Sequence, residues 1–131
     1  MTHNVDLASL LVTIAHLDHT AALDILSTAP SLATARMARA DEFFLAERLA
    51  QVYEGDTALH AAGFSYDPKM ARDLIARGAH IRARNRKGAE PLHSAVIGVP
   101  GSPSWNPTRQ RDVILYLIEA GLIPTPPPPV A

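Results

Sequence analysis

Histidine is the residue type in this chain with the widest range of possible chemistry. The chain holds six histidines, and an imidazole can bind zinc or transfer a proton near neutral pH. His60 and His93 stand 33 positions apart in two similar stretches of sequence. His16 and His19 lie at i, i+3 near the end of a predicted helix, and no third ligand accompanies them. We therefore predict no metal at His16 and His19.

The sequence lacks the motifs that mark common catalytic sites. It has no cysteine, which excludes a thiol nucleophile, a thiolate zinc site and a disulfide framework. It also has no serine elbow, no glycine-rich phosphate loop after a strand and no HExxH motif. We predict no catalytic residue and no cofactor, so the protein is not expected to be an enzyme. The apolar run 7–17 is too short to cross a bilayer, and a cytoplasmic location is the simplest expectation.

Charged residues could instead recognise a partner of opposite charge. The acidic residues Glu42, Glu47, Glu54 and Asp56 show no sign of pairing or burial, and they predict a solvated acidic surface. The stretch 77–87 holds five of the chain's twelve Lys and Arg residues, namely Arg77, Arg82, Arg84, Arg86 and Lys87. Two interpretations of this basic stretch stay open: a solvated loop, or a contact surface for an acidic protein segment or phosphate. The net charge of −1 differs from that of a dedicated nucleic-acid binder.

The elements that position these residues recur along the chain. Residues 55–62 read GDTALHAA and residues 88–95 read GAEPLHSA, a period of 33 residues that predicts a stacked repeat architecture. In the first unit, Thr57 and Asp67 are the predicted N-caps of two helices, the second of which ends at Gly78. In the second unit, Asn106 is the predicted cap of the later helix.

Other segments lie outside this repeat. Apolar residues at helical spacing predict a helical hairpin over 5–29, and a further helix is predicted over 41–52 with Asp41 as its cap. Residues 98–107, GVPGSPSWNP, predict a loop that gives the second unit ten extra residues. Trp105 in this loop is either an interface anchor or a ring folded onto the neighbouring helix. The tail 124–131 is predicted to be proline-rich and disordered.

The two repeated stretches resemble the ankyrin repeat family. The opening GDTALHAA is followed by LIARGA at 74–79, and PLHSA at 91–95 is followed by LIEAG at 117–121. The resemblance implies that His60 and His93 form hydrogen bonds within and between repeats, which removes both from the catalytic candidates. Equivalent positions in such a stack lie roughly 10 Å apart, too far for one zinc ion with bonds near 2 Å.

The resemblance implies an all-α fold, an ankyrin-type α-solenoid of stacked helical hairpins. The expected domain covers 1–123, with a degenerate repeat at about 5–40, the inserted helix at about 41–52, and repeats at 55–87 and 88–123. Ala58 and Glu90 replace the family's usual proline and threonine, and no polar capping pair follows Leu122. An uncapped end exposes an apolar face. Two explanations stay open: the chain is a shortened version of a longer array, or a partner or a second copy covers this end.

The resemblance also implies a non-catalytic protein-protein interaction module that binds through loop tips and the concave helix surface. The positions that carry this prediction are Tyr53, Glu54, Asp56, Arg82, Arg84, Arg86, Lys87, Ala89 and Trp105. The expected partner is a protein with an acidic surface, and self-association through the uncapped end is a further expectation. No membrane partner is expected, and nucleic acid is not favoured. The alternatives are a truncated or decayed array with only a structural role, and weak nucleic-acid or phosphate binding by the basic stretch 77–87.

Overall fold

A computed structural model describes residues 6–97 and 105–122 of the chain. Within these ranges the protein is mostly helical. The helices are α1 (Leu7–Ala15), α2 (His19–Thr28), α3 (Ala58–Phe64), α4 (Pro68–Ala76), α5 (Pro91–Val96) and α6 (Pro107–Leu122). Two short strands, β1 (Phe43–Leu45) and β2 (Ala50–Val52), lie between α2 and α3.

The helices pack as three consecutive pairs. α1 contacts α2, α3 contacts α4, and α5 contacts α6. Helix α3 also lies between α1 and α5, and α4 contacts α6. Every residue of α3 is buried, including Leu59 and Ala62, which lie at the centre of the shared hydrophobic core. A small residue at the α3–α5 contact permits this close packing, because a Cβ added to Gly63 would lie 2.8 Å from the Pro91 carbonyl oxygen.

The predicted caps of the repeat units are confirmed. The Thr57 side chain accepts a hydrogen bond from the His60 backbone N–H at the start of α3. Asp67 accepts one from the Met70 N–H at 3.0 Å, and Asn106 accepts one from the Arg109 N–H at 3.0 Å. Each side chain satisfies an otherwise unpaired donor in the first turn of its helix. Gly78 has φ +94, the left-handed conformation that glycine adopts at least cost after a helix.

The predicted helix over 41–52 is wrong, because these residues form an antiparallel β-hairpin. Phe43 pairs with Val52, and Leu45 pairs with Ala50. Alternate side chains of a strand point to opposite faces, so Leu45 is only 2% exposed while its neighbour Phe44 is 57% exposed. The connecting turn contains Leu49 in the left-handed region, with φ 51, which no regular helix accommodates. Aromatic and β-branched residues favour this pleated, half-buried arrangement.

Polar contacts join the first helical pair to the rest of the protein. His19, at the start of α2, contacts the Asp67 carboxylate at 2.6 Å, while His16 contacts Glu47 at 3.4 Å. The two histidines therefore have different partners and do not converge. None of the helices in the described ranges combines the length and apolar character needed to span a bilayer. The predicted tail 124–131 and most of the predicted loop 98–107 lie outside the described residues.

Candidate functional site

His60 connects the two repeat units. Its Nδ1 atom accepts a hydrogen bond from the Thr57 backbone N–H at 3.1 Å, which places the ring proton on Nε2. Nε2 then donates to the Ala89 carbonyl oxygen of the next unit at 2.8 Å. Burial lowers the pKa of His60 and favours this neutral ring. The contacts within and between repeats are those that the family resemblance implies.

His93 forms the equivalent local contact. Its Nδ1 atom accepts a hydrogen bond from the Glu90 N–H at 2.9 Å. Glu90 and His93 thus complete a capping pair at the start of α5, as Thr57 and His60 do for α3. Both rings support the scaffold, and within the described part of the chain no three His, Asp or Glu side chains are grouped to hold a metal ion.

Asp56 does not belong to a solvated acidic surface, contrary to the sequence prediction. It is only 3% exposed. Its carboxylate accepts hydrogen bonds from the Asn85 side-chain amide at 2.8 Å and from the Tyr53 N–H at 2.9 Å. Asn85 Oδ1 in turn accepts the backbone N–H groups of Lys87 and Ala89. Asp56 and Asn85 therefore fix the loops that precede α3 and α5 against each other.

Glu42 is also paired, contrary to the same prediction. Arg86 donates to it from Nε at 2.5 Å and from Nη2 at 3.1 Å, and the Glu54 N–H donates at 2.6 Å. The Arg86 hydrogen bonds and the Glu54 N–H lower the pKa of Glu42 to about 2. The inserted β-hairpin is thereby attached at its base to the loop before α5.

The cationic side chains of the basic loop, defined as residues 79–88, differ in their exposure and in their pairing with carboxylates. Arg82 and Arg84 lie 3.8 and 3.4 Å from the Glu90 carboxylate, yet their side chains remain 71% and 68% exposed. Arg86 is 30% exposed and is held by Glu42. Lys87 lies over the Tyr53 ring at 5.5 Å, and none of the described carboxylates is within ion-pair distance of it. The basic edge is therefore partly neutralised by the chain itself.

Four of the nine predicted partner-binding residues line one groove of about 280 Å³. These are Tyr53, Asp56, Lys87 and Ala89, with Asp56 at the buried floor. The groove is also lined by residues that the sequence prediction missed, among them Arg48, Leu49, Phe64, Tyr66, Asn85 and Ile97. Leu49 and Arg48 were missed because a helix was predicted over 41–52. The asparagine that precedes Gly88 by three positions is a turn signal that could have identified Asn85.

The other predicted positions lie elsewhere. Arg82 lines a separate cavity beside the end of α6, and Arg84 and Arg86 line a third depression. The backbone of Glu54 forms two contacts. Its N–H donates to the Glu42 carboxylate at 2.6 Å, and its carbonyl oxygen accepts the Arg86 N–H at 2.8 Å. Trp105 lines a cavity of about 650 Å³ near Arg48 and donates to Gln110 Oε1 at 2.9 Å. The structure thus places the tryptophan against the helix that follows it.

Comparison with known proteins finds relatives among ankyrin repeat-containing proteins. The chain is 35% identical over 65 residues to the Notch-regulated ankyrin repeat-containing protein A of Danio rerio, covering 50% of this chain and 49% of that protein. The Notch-regulated ankyrin repeat-containing proteins of Homo sapiens and Mus musculus are also 35% identical over 65 residues, covering 50% of this chain and 48% of each relative. The chain therefore spans about half the length of the curated relatives it matches.

No protein-family model matches the chain, and no solved structure matches it. The assignment accordingly rests on the relatives, on the two repeated motifs with their capped helix pairs, and on the histidine contact between units. These observations agree with one another, and over about half of its length the chain is similar to ankyrin repeat-containing proteins.

Proposed function

We propose that the protein is a non-catalytic interaction module that binds another protein through the basic loop and the adjoining helix surface. The observation that carries this proposal is the exposure of Arg82 and Arg84, about 70% for each side chain, on a loop whose backbone is fixed. The relatives are ankyrin repeat-containing proteins, a class in keeping with protein binding. A fixed loop loses little conformational freedom when a partner binds.

The proposal includes an ankyrin-type solenoid arrangement of the three helical pairs. Its support is the row of contacts from α1 to α3 to α5, together with the contact between α4 and α6. In such an arrangement, equivalent loops project from the same edge and form one extended binding surface. The loop before α3 and the basic loop are already joined by Asp56 and Asn85 at 2.8 Å.

The partner surface is expected to be acidic. Among the described residues, the carboxylate within ion-pair distance of Arg82 and Arg84 is that of Glu90, whose side chain is only 14% exposed. The exposed charge on this side of the loop is therefore positive, and complementary charge mainly raises the association rate and sets specificity. The remaining alternatives are a structural fragment without a partner, and nucleic acid or phosphate as the ligand. The pairing of Arg86 with Glu42 reduces the charge available for nucleic acid.

The test is an affinity capture from native lysate with three forms of the full chain. One is the wild type and one carries Arg82→Glu and Arg84→Glu. The third carries Lys69→Glu and Arg111→Glu, which change the net charge equally at exposed positions on α4 and α6. A protein retained by the wild type and the control, but lost from the loop variant, supports the proposal. Equal recovery from all three forms, or recovery of nucleic acid alone, contradicts it.

A second candidate is self-association through the C-terminal pair of helices. Leu115 and Ile118 on α6 are 52% and 43% exposed, and exposed apolar side chains one helical turn apart favour association. Light scattering at several concentrations checks this candidate. A mass that rises with concentration in the wild type, but not after Leu115→Glu, supports it, whereas a concentration-independent monomer contradicts it.

A further inference from the structure

The inserted β-hairpin, residues 43–52, packs against the helical core. Leu45 and Val52, which are 2% and 0% exposed, belong to the same core as α1 and α3. At the far end of the hairpin, Arg48 Nε donates to the Ala15 carbonyl oxygen at the end of α1, at 2.9 Å. At its base, Glu42 is held by Arg86. The hairpin is thus fixed at both ends.

The surface left open beside the hairpin is the groove of about 280 Å³, between β2 and the end of α5. Its lining is largely apolar and includes the buried side chains of Phe64 and Tyr66 together with Leu49 and Ile97. Leu49 and Ile97 are 48% and 62% exposed. Binding sites for small molecules usually occupy about 300–1,000 Å³, and the volume of this groove lies just below that range. The groove therefore has room for one or two side chains of a partner.

The accessible charge in the groove is positive. Among its lining residues, the ionisable groups besides tyrosine are Arg48, Lys87 and Asp56. The Asp56 carboxylate is buried and accepts hydrogen bonds from Asn85 and Tyr53, so it does not compete for an incoming cation. Lys87 is exposed at the rim, and it is the cation of the basic loop that none of the described carboxylates neutralises.

We propose that this groove binds an extended segment of a partner protein that inserts one apolar side chain beside Leu49 and Ile97 and places a carboxylate against Lys87. This inference rests on the proposed protein-binding function and specifies the chemistry of the segment that is recognised. The apolar side chain contributes affinity by leaving water. The carboxylate contributes specificity, because a basic residue of the partner segment at that position would meet the like charge of Lys87.

The experiment is a selection from a random-sequence peptide display library against the immobilised full chain. The expected result is enrichment of peptides in which Asp or Glu lies next to Leu, Ile or Phe. For one such synthetic peptide, Lys87→Glu is expected to weaken binding about five-fold, the effect of roughly 1 kcal/mol from an exposed charge pair. Ile97→Asp is expected to weaken it at least about ten-fold by placing a charge in the apolar contact. Lys69→Glu, the matched exposed control on α4, should leave the affinity unchanged.

Absence of enriched peptides, or peptides that bind Lys87→Glu and Ile97→Asp as tightly as wild type, overturns the groove proposal. Circular dichroism on each variant checks that it is folded. A partner captured from lysate separates the two proposals. If its binding requires Arg82 and Arg84 but survives both groove substitutions, the protein-binding function stands and the groove proposal fails.

Discussion

Arg86 and Glu42 form a two-pronged salt bridge between segments 44 positions apart in the chain, with Nε at 2.5 Å from Oε2 and Nη2 at 3.1 Å from Oε1. The contact joins the base of the inserted β-hairpin to the basic loop. The same guanidinium lies 5.0 Å from the centre of the Tyr53 ring, which faces Lys87 as well. The Arg86–Glu42 ion pair thus links the inserted β-hairpin to the basic loop and to the groove residues Tyr53 and Lys87.

This ion pair predicts a dependence of stability on acid. Arg86 and the Glu54 N–H hold the pKa of Glu42 at about 2 in the folded state, against a usual value of 4.5. A carboxyl whose pKa is lower in the folded state stabilises that state fully above pH 4.5, and the contribution is lost as the pH falls from 4.5 through 2. Glu42→Gln should therefore lower the free energy of unfolding at neutral pH and reduce its loss in this acid range. Urea unfolding above and below the range measures both effects.

Glu119→Gln provides the control, because Glu119 is an exposed carboxylate on α6. It should leave both the neutral stability and the acid profile close to wild type. If Glu42→Gln and Glu119→Gln show the same acid profile, the ion pair does not stabilise the folded protein.

The burial of His60 predicts that His60→Ala lowers the free energy of unfolding more than the equivalent substitution His93→Ala. His60→Ala leaves the buried Thr57 N–H without its partner and removes the hydrogen bond to the Ala89 carbonyl oxygen, which then keeps only the Asn85 N–H, at a cost of about 2–3 kcal/mol in the free energy of unfolding. His93→Ala removes one contact at an exposed position, and about 1 kcal/mol or less is expected. Chemical denaturation of the two variants measures the difference. Equal losses would show that His60 does not connect the units.

The close contact between α3 and α5 predicts that adding a single methyl group at Gly63 destabilises the folded protein. In Gly63→Ala the new Cβ lies 2.8 Å from the Pro91 oxygen and 3.3 Å from the Ala95 nitrogen, both backbone atoms. Overpacking of this kind costs about 1–3 kcal/mol, which exceeds the gain of about 1 kcal/mol from replacing glycine in a helix. The melting temperature should therefore fall. Gly121→Ala meets nothing closer than 3.8 Å, and its melting temperature should be unchanged or higher.

The burial pattern of the β-hairpin predicts that it is part of the folded core. Leu45→Ala should lower the free energy of unfolding by about 2–5 kcal/mol because it leaves a cavity. Phe44→Ala, on the opposite face of the same strand, should cost less than about 1 kcal/mol because most of the ring is already exposed. Similar losses for both would mean that the strand does not pack as the structure shows.

The capped helices of the repeats and the inserted β-hairpin differ in how far their structure depends on distant residues. This difference explains which of them could be predicted from the sequence. Thr57, Asp67 and Gly78 act within one helical turn of their positions, so their roles are visible from local spacing. The hairpin is too short for its pattern to differ clearly from that of a helix, and its form is decided by the burial of Leu45 and Val52. The helix caps at Thr57, Asp67 and Gly78 were therefore predicted correctly, and the helix over 41–52 was not.

The candidate site was only partly predictable for a related reason. Tyr53 and Lys87 flank the repeated motif and Ala89 lies at its start, so all three could be proposed from the motif's position alone. The burial of Asp56 and the pairing of Glu42 depend on Asn85 and Arg86, which lie 29 and 44 positions away. Contacts at such separations leave no periodic pattern in the sequence, so both carboxylates were wrongly predicted to be solvated. Ile97 and Leu49 became candidates only when the hairpin was seen to border the groove.

The most direct test of the protein-binding function is the affinity of the captured partner, measured by titration calorimetry at low and high salt. The wild type is compared with Arg82→Glu/Arg84→Glu and with the charge-matched control Lys69→Glu/Arg111→Glu. We expect the loop variant to bind at least about ten-fold more weakly than wild type at low salt, and added salt to narrow this difference in affinity. The control should match wild type. Equal affinities for the loop variant and the control at low salt would contradict the proposed binding through the basic loop.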